Sequence, residues 1–153
     1  MTRTHIVIHH SATVDGPTVS WAAIERFHTV DRAWDDIGYH YGVELVAGAG
    51  YQALIGRDER QRAAAAPEAD MNRAAIHVCC VGNYDIQAPP LDMLRCLVRR
   101  VLRPLVGRYR IPVGNVIGHR DVGLMAGFDW RKGQYKSCPG RLFDLGRVRS
   151  MLA

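Results

Sequence analysis

The chain has 153 residues, 48% of them hydrophobic and 23% charged, a balance that suits one folded domain and excludes a disordered chain. No apolar run approaches the roughly 20 residues of a membrane-spanning helix. The opening Met1-Thr2-Arg3-Thr4-His5-Ile6-Val7-Ile8 turns polar too early for a secretory leader. The expectation is one domain over residues 1–153, cytoplasmic as synthesised. Lys and Arg outnumber Asp and Glu by 20 to 15, and the net +5 favours anionic partners.

Ile6-Val7-Ile8 reads as a short buried strand. Trp21 to Trp34 reads as a helix, capped by Ser20 and stopped by Gly38. Tyr39 to Val46 alternates like a strand, and Tyr51 to Ile55 returns beside it around Gly48-Ala49-Gly50. Gly56 to Asn72 is mostly irregular, with room for a short helix over Arg62 to Ala66, and Ala74 to Val81 is a further buried strand. Beyond Pro89-Pro90, Leu91, Leu94, Val98, Val101, Leu102 and Leu105 keep helical spacing. Pro104 should kink or divide that helix, and Gly107 should close it. A strand over Asn115 to Gly118 and a helix over Arg141 to Met151 complete the pattern. The fold class is α/β, a central mixed β-sheet flanked by helices. Arg95, Arg99 and Arg103 recur every fourth residue and read as the solvated side of their helix. No nucleic-acid-binding pattern or aromatic interleaving accompanies the charge, so no specific nucleic-acid binding is expected.

Four cysteines without a leader argue against a disulfide framework. Cys79, Cys80 and Cys96 sit among apolar residues and read as buried thiols. Cys138 differs, standing in the polar turn Lys136-Ser137-Cys138-Pro139-Gly140. His9 closes one predicted strand and His119 closes another. Two imidazoles and a thiolate suit zinc, and three protein ligands leave a fourth tetrahedral position for water. The separations, 110 residues from His9 to His119 and 19 more to Cys138, match no local metal-binding pattern. His9 and His10 would point to opposite faces of a strand, and alternation does not choose between them. His5, His28 and His77 read as hydrogen-bonded structural or surface histidines. Asp121 reads as a turn residue, with orientation of an imidazole as its other possible role.

Five segments occur in order: Ile8-His9-His10-Ser11-Ala12-Thr13, Gly38-Tyr39-His40-Tyr41, Val81-Gly82-Asn83-Tyr84, Gly118-His119-Arg120-Asp121-Val122 and Lys136-Ser137-Cys138-Pro139-Gly140. Together they resemble the zinc-dependent N-acetylmuramoyl-L-alanine amidases of the type 2 family, which share a fold with the peptidoglycan recognition proteins. The likeness runs from about His5 to Leu145 and is nearest to the small single-domain lysozymes of bacteriophages. It implies one catalytic zinc ion on His9, His119 and Cys138. Tyr39 matches the family's catalytic tyrosine, and Lys136 matches the lysine that completes the phage-type site. Thr13 and Asn83 are the choices for stem-peptide contacts. The implied substrate is peptidoglycan, cut at the amide joining N-acetylmuramic acid to L-alanine.

The chain also departs from that pattern. It lacks the histidine that family members often carry near Ala63-Ala64-Ala65-Ala66, and His77 stands where a small residue is usual. The longer stretch before Cys138 carries Phe128, Trp130 and Tyr135, either a wall of the substrate groove or a packed loop. The resemblance implies a monomeric phage or prophage endolysin that reaches the wall, in the host periplasm, only after release. A cytoplasmic wall-recycling amidase is the nearby alternative. A recognition module that binds without cutting is another, and the presence of Cys138 counts against it.

Overall fold

The computed structural model describes residues 2–14 and 21–153. Five strands form one sheet in the order β3-β2-β4-β1-β5: β1 (His5–His10), β2 (Tyr41–Val46), β3 (Gly50–Ile55), β4 (Ala75–Cys80) and β5 (Val116–Gly118). β1 runs parallel to β4 and β5, and β2 runs parallel to β4, while the β2–β3 hairpin is antiparallel. The sheet is mixed, as the interleaved strand and helix patterns predict.

β1 and β4 read as continuous apolar runs because both of their faces are covered. Ile6, Ile8, Ile76 and Val78 pack against Leu94, Leu97, Val101 and Leu105 of a helical rod and against Val148. That rod comprises α3 (Leu91–Cys96), a π-helical turn (Leu97–Leu102) and α4 (Arg103–Tyr109), and Val148 belongs to α6 (Leu145–Leu152). On the opposite face Val7, Ala75 and Ile117 meet Met71 of α2 (Met71–Ala74) and Val122 of α5 (His119–Met125). Ile6, Val7, Ile8, Ile76 and Val78 are all 0% exposed, and each such side chain contributes about 1.5–3 kcal/mol of burial before entropy is counted. Side chains two residues apart share a face. His9 therefore follows Val7 onto the α2–α5 side, which resolves the ambiguity left by the histidine pair.

Several boundaries move. α1 (Trp21–Arg26) runs into a π-helical turn that ends at Asp31, short of Trp34, and the expected Ser20 cap lies outside the described residues. Arg62 to Ala66 is not helical. The Asn72 side-chain oxygen accepts the main-chain N–H of Ala65 and Ala66, each at 2.8 Å, and holds that stretch as a loop. Pro104 does not divide its helix, because the π turn before it lets the Arg103 N–H reach back to the Val98 carbonyl. Arg110 in a left-handed conformation (φ 54°), not Gly107, ends the rod. α6 begins at Leu145, where Asp144 accepts the Arg147 N–H at 3.0 Å, and residues 141–144 are loop. α5 has no counterpart in the sequence-based expectation. Arg95, Arg99 and Arg103 are exposed as expected, and no helix among the described residues is long and apolar enough to cross a membrane.

Candidate active site

Three segments far apart in the chain deliver three donors to one place. His9 lies near the end of β1, and His119 opens α5 directly after β5, the neighbour of β1. Cys138 arrives on the loop ahead of α6. His9 Nδ1 lies 3.8 Å from Cys138 Sγ, and the His9 and His119 rings meet at 4.6 Å and 66°. The donor atoms of all three residues lie within 4.8 Å of one another, and all three residues are buried. A tetrahedral zinc with the usual bond lengths spaces such donors about 3.3–3.6 Å apart. The His9–Cys138 separation of 3.8 Å is already near that spacing, and the donor types suit the ion.

Local contacts hold the donors there. A Cβ on Gly118 would fall 2.6 Å from Pro139 Cδ, so a glycine lets the cysteine loop lie against the end of β5. Asp121 accepts the Gly118 N–H at 2.8 Å and fixes the start of α5. The Arg120 N–H donates to the Cys138 carbonyl at 2.6 Å, and its guanidinium donates to the carbonyls of Gly140 and Phe143. From the other side Asp85 accepts the Ser137 hydroxyl and the Arg141 N–H, both at 2.8 Å. Neighbours of His119 and Cys138 in sequence thus aim the two ligands without touching the metal position.

Burial sets the protonation states. His9 is driven well below the usual imidazole range by burial and by the nearby His119 and His77, and His119 is pushed down to about 3 by burial and Lys136. Both rings are therefore neutral and able to donate a lone pair. Burial pushes the Cys138 thiol up to about 12 despite the His10 N–H at 3.4 Å. A cation is needed to hold it as thiolate. Each imidazole also has an Nε2 contact: His9 Nε2 meets His77 Nδ1 at 2.8 Å, and His119 Nε2 meets the Tyr135 hydroxyl at 3.0 Å. Sequence reasoning assigned neither partner to the site. His77 does make the structural hydrogen bonds expected of it, but one of them is to a ligand. Strand alternation held the clue, since Ala75, His77 and Cys79 share the face that carries His9.

A cavity of about 520 Å³ opens over the donors and is also lined by Tyr39, Lys136, Trp34 and Ala65. The Tyr39 ring stands 5.1 Å from that of His9. Burial and the adjacent thiols of Cys79 and Cys138 raise its phenol well above the ordinary range, so it is a hydrogen-bonding hydroxyl and not a base at neutral pH. Lys136 is exposed, with its ammonium 5.7 Å from the centre of the Tyr135 ring. Thr13 lies in an adjoining groove of about 390 Å³ with Ile24 and Phe27, and the groove shares His28 and Tyr39 with the main cavity. Asn83 lines a separate depression of about 70 Å³ beside Val14 and Ile86. His28 stacks on Trp34 at 4.7 Å and accepts the Gly38 N–H, a structural histidine that is also part of the cavity wall. The aromatic insert is packed only in part: Tyr135 and Trp130 are half-buried, while Phe128 is 48% exposed. Tyr135 fills the space over Gly123 and stacks on Phe128, and Trp130 lies between Arg120 and Arg131.

The sequence model of the N-acetylmuramoyl-L-alanine amidase family matches residues 1–141. This chain belongs to that family. It is 26% identical over 127 residues to peptidoglycan-recognition protein LB of Drosophila melanogaster, a match that takes in 77% of this chain and 51% of the relative. The chain thus spans about half the length of that curated relative. Among solved structures, the N-acetylmuramoyl-L-alanine amidase LysC from Clostridium intestinale superposes with a TM-score of 0.75 at 22% identity, covering 99% of this chain and 85% of that one. The endolysin amidase LysCS of the same organism gives 0.75 at 24% identity, with 99% and 84% covered. Wild-type Drosophila PGRP-LB gives 0.71 at 23% identity, with 97% and 81% covered. These structures share the amidase fold with this chain.

Proposed function

We propose that this amidase-family chain is a zinc-dependent hydrolase of the bond between N-acetylmuramic acid and L-alanine in peptidoglycan. The observation that carries the reading is the convergence of His9, His119 and Cys138 under a cavity walled by Tyr39 and Lys136. A zinc ion bound there would supply a nucleophilic water near neutral pH and polarise the scissile carbonyl. The remaining work falls to the chain's own groups. His9 and His119 offer neutral nitrogens, and Cys138 offers the one anionic donor. Lys136 brings its ammonium to the cavity, where it stabilises charge developing on the carbonyl oxygen. Tyr39, kept protonated, donates a hydrogen bond that orients the carbonyl. Thr13, in the adjoining groove, is the better placed of the two stem-peptide candidates, and Asn83 stands further out.

The biological role we assign is that of a monomeric, one-domain phage or prophage endolysin. It would act on the bacterial wall after a separate membrane-permeabilising protein releases it. Likeness to an amidase described as an endolysin supports this role, and the net charge of +5 suits an anionic polymer. The test is digestion of purified cell walls by the zinc-loaded protein. New N-terminal L-alanine should appear, stop on chelation and return with zinc. Wall binding without cleavage would leave a recognition module. Cleavage restricted to small anhydro-muropeptides would point to wall recycling.

A further inference from the structure

A histidine that binds a metal through one ring nitrogen must carry its proton on the other, and the partner of that second nitrogen decides the tautomer. For His9 the deciding chain of groups can be followed inward from a main-chain carbonyl. The Met71 carbonyl can only accept, so His77 Nε2, 2.9 Å away, carries a proton. His77 is 0% exposed, and a charged ring sealed from water without an anionic partner is costly, so the ring is neutral. Its Nδ1 is then a bare acceptor. His9 Nε2 lies 2.8 Å from that Nδ1 and must be the donor. With its one proton on Nε2, His9 has its lone pair on Nδ1, the atom 3.8 Å from Cys138 Sγ. The main chain of His77 is pinned as well, since its N–H donates to His40 Nδ1 at 2.9 Å.

We propose that His77 is a positioning residue that sets the tautomer and aim of His9, so that Nδ1 faces the metal centre. An imidazole here does what a carboxylate or main-chain carbonyl usually does behind a metal-bound histidine. β4 places it there by register. Val7 pairs with His77 and His9 pairs with Cys79, so His77 is the diagonal neighbour of His9 on the same sheet face. The assignment rests on the zinc reading above for its consequence, but its hydrogen-bond logic belongs to the protein alone.

Two measurements test it. Long-range nitrogen–proton NMR on the metal-free wild-type protein should show His9 and His77 both as Nε2–H tautomers; an Nδ1–H tautomer at His9 overturns the proposal. Zinc affinity is then measured by chelator competition in two variants. His77→Leu offers no acceptor and should weaken zinc about 10–100-fold. His77→Asn can place a carbonyl oxygen near the former Nδ1 and should stay close to wild type. Wild-type affinity in His77→Leu, or an equal loss in both variants, would sink the assignment. If the wild-type protein takes up no zinc, the metal reading fails instead, and the tautomer spectrum still judges His77.

Discussion

At the scale of single residues, the site combines groups whose ordinary behaviour is altered by burial. Cys138 holds its proton up to about 12 without a metal, while His9 and His119 are already neutral. Zinc binding should therefore release one proton, from the thiol, and log affinity should rise by about one per pH unit between pH 6 and 8. Calorimetry in buffers of different ionisation enthalpy checks the count, and a slope near zero would remove the thiolate from the ligand set. Cys138→Ser and His119→Ala should each lose zinc and activity together. Lys136→Ala is the contrasting case. The side chain lines the cavity without joining the three donors, so the variant should retain zinc while turnover falls about 10²–10³-fold, the usual effect of removing one oxyanion stabiliser. Steady-state kinetics beside metal analysis separates these outcomes.

At the scale of elements, the site depends on three ends meeting: β1, the β5–α5 junction and the cysteine loop. Two of them come close at Gly118, where any Cβ would press on Pro139. Gly118→Ala should cost about 1–3 kcal/mol of stability, as overpacking usually does, and should weaken zinc binding by lifting Cys138 away from His119. Denaturant unfolding gives the first quantity and chelator competition the second. Unchanged values in both would show that the loop can shift freely. The π turn ahead of Pro104 serves packing instead. It adds a wide turn to the rod, and Leu97, Val98, Val101 and Leu102 all remain in the core.

At the scale of the whole molecule, buried histidines make the fold sensitive to acid. His40 is lowered to about 4, and His77 and His119 to about 3, each chiefly by burial. The unfolded chain takes up protons on these rings below about pH 6.5, whereas the folded chain does not. Stability should therefore fall as pH drops from 6.5 toward 4, by up to about 1.4 kcal/mol per pH unit for each ring. Thermal unfolding of the metal-free protein across that range is the check. A midpoint that does not change would mean that the rings titrate normally and are not buried as described.

Much of this was legible in the order of residues. The continuous apolar run Ile6-Val7-Ile8, the β2–β3 hairpin and the helical spacing after Pro90 report contacts between near neighbours, which local pattern encodes. The metal set was legible only through five short motifs, because 110 residues separate His9 from His119 and no periodicity spans that distance. α5 was missed because the strand before it leads straight into its first residue, with no polar cap to mark a start. Tertiary structure alone decided that Arg120 and Asp85 stitch the cysteine loop, and that Tyr135 of the aromatic insert packs over Gly123 and meets His119. It alone brought His77 behind His9. Hydrogen bonds between strands depend on register, and register is set by how whole faces are buried, a property that no single segment carries.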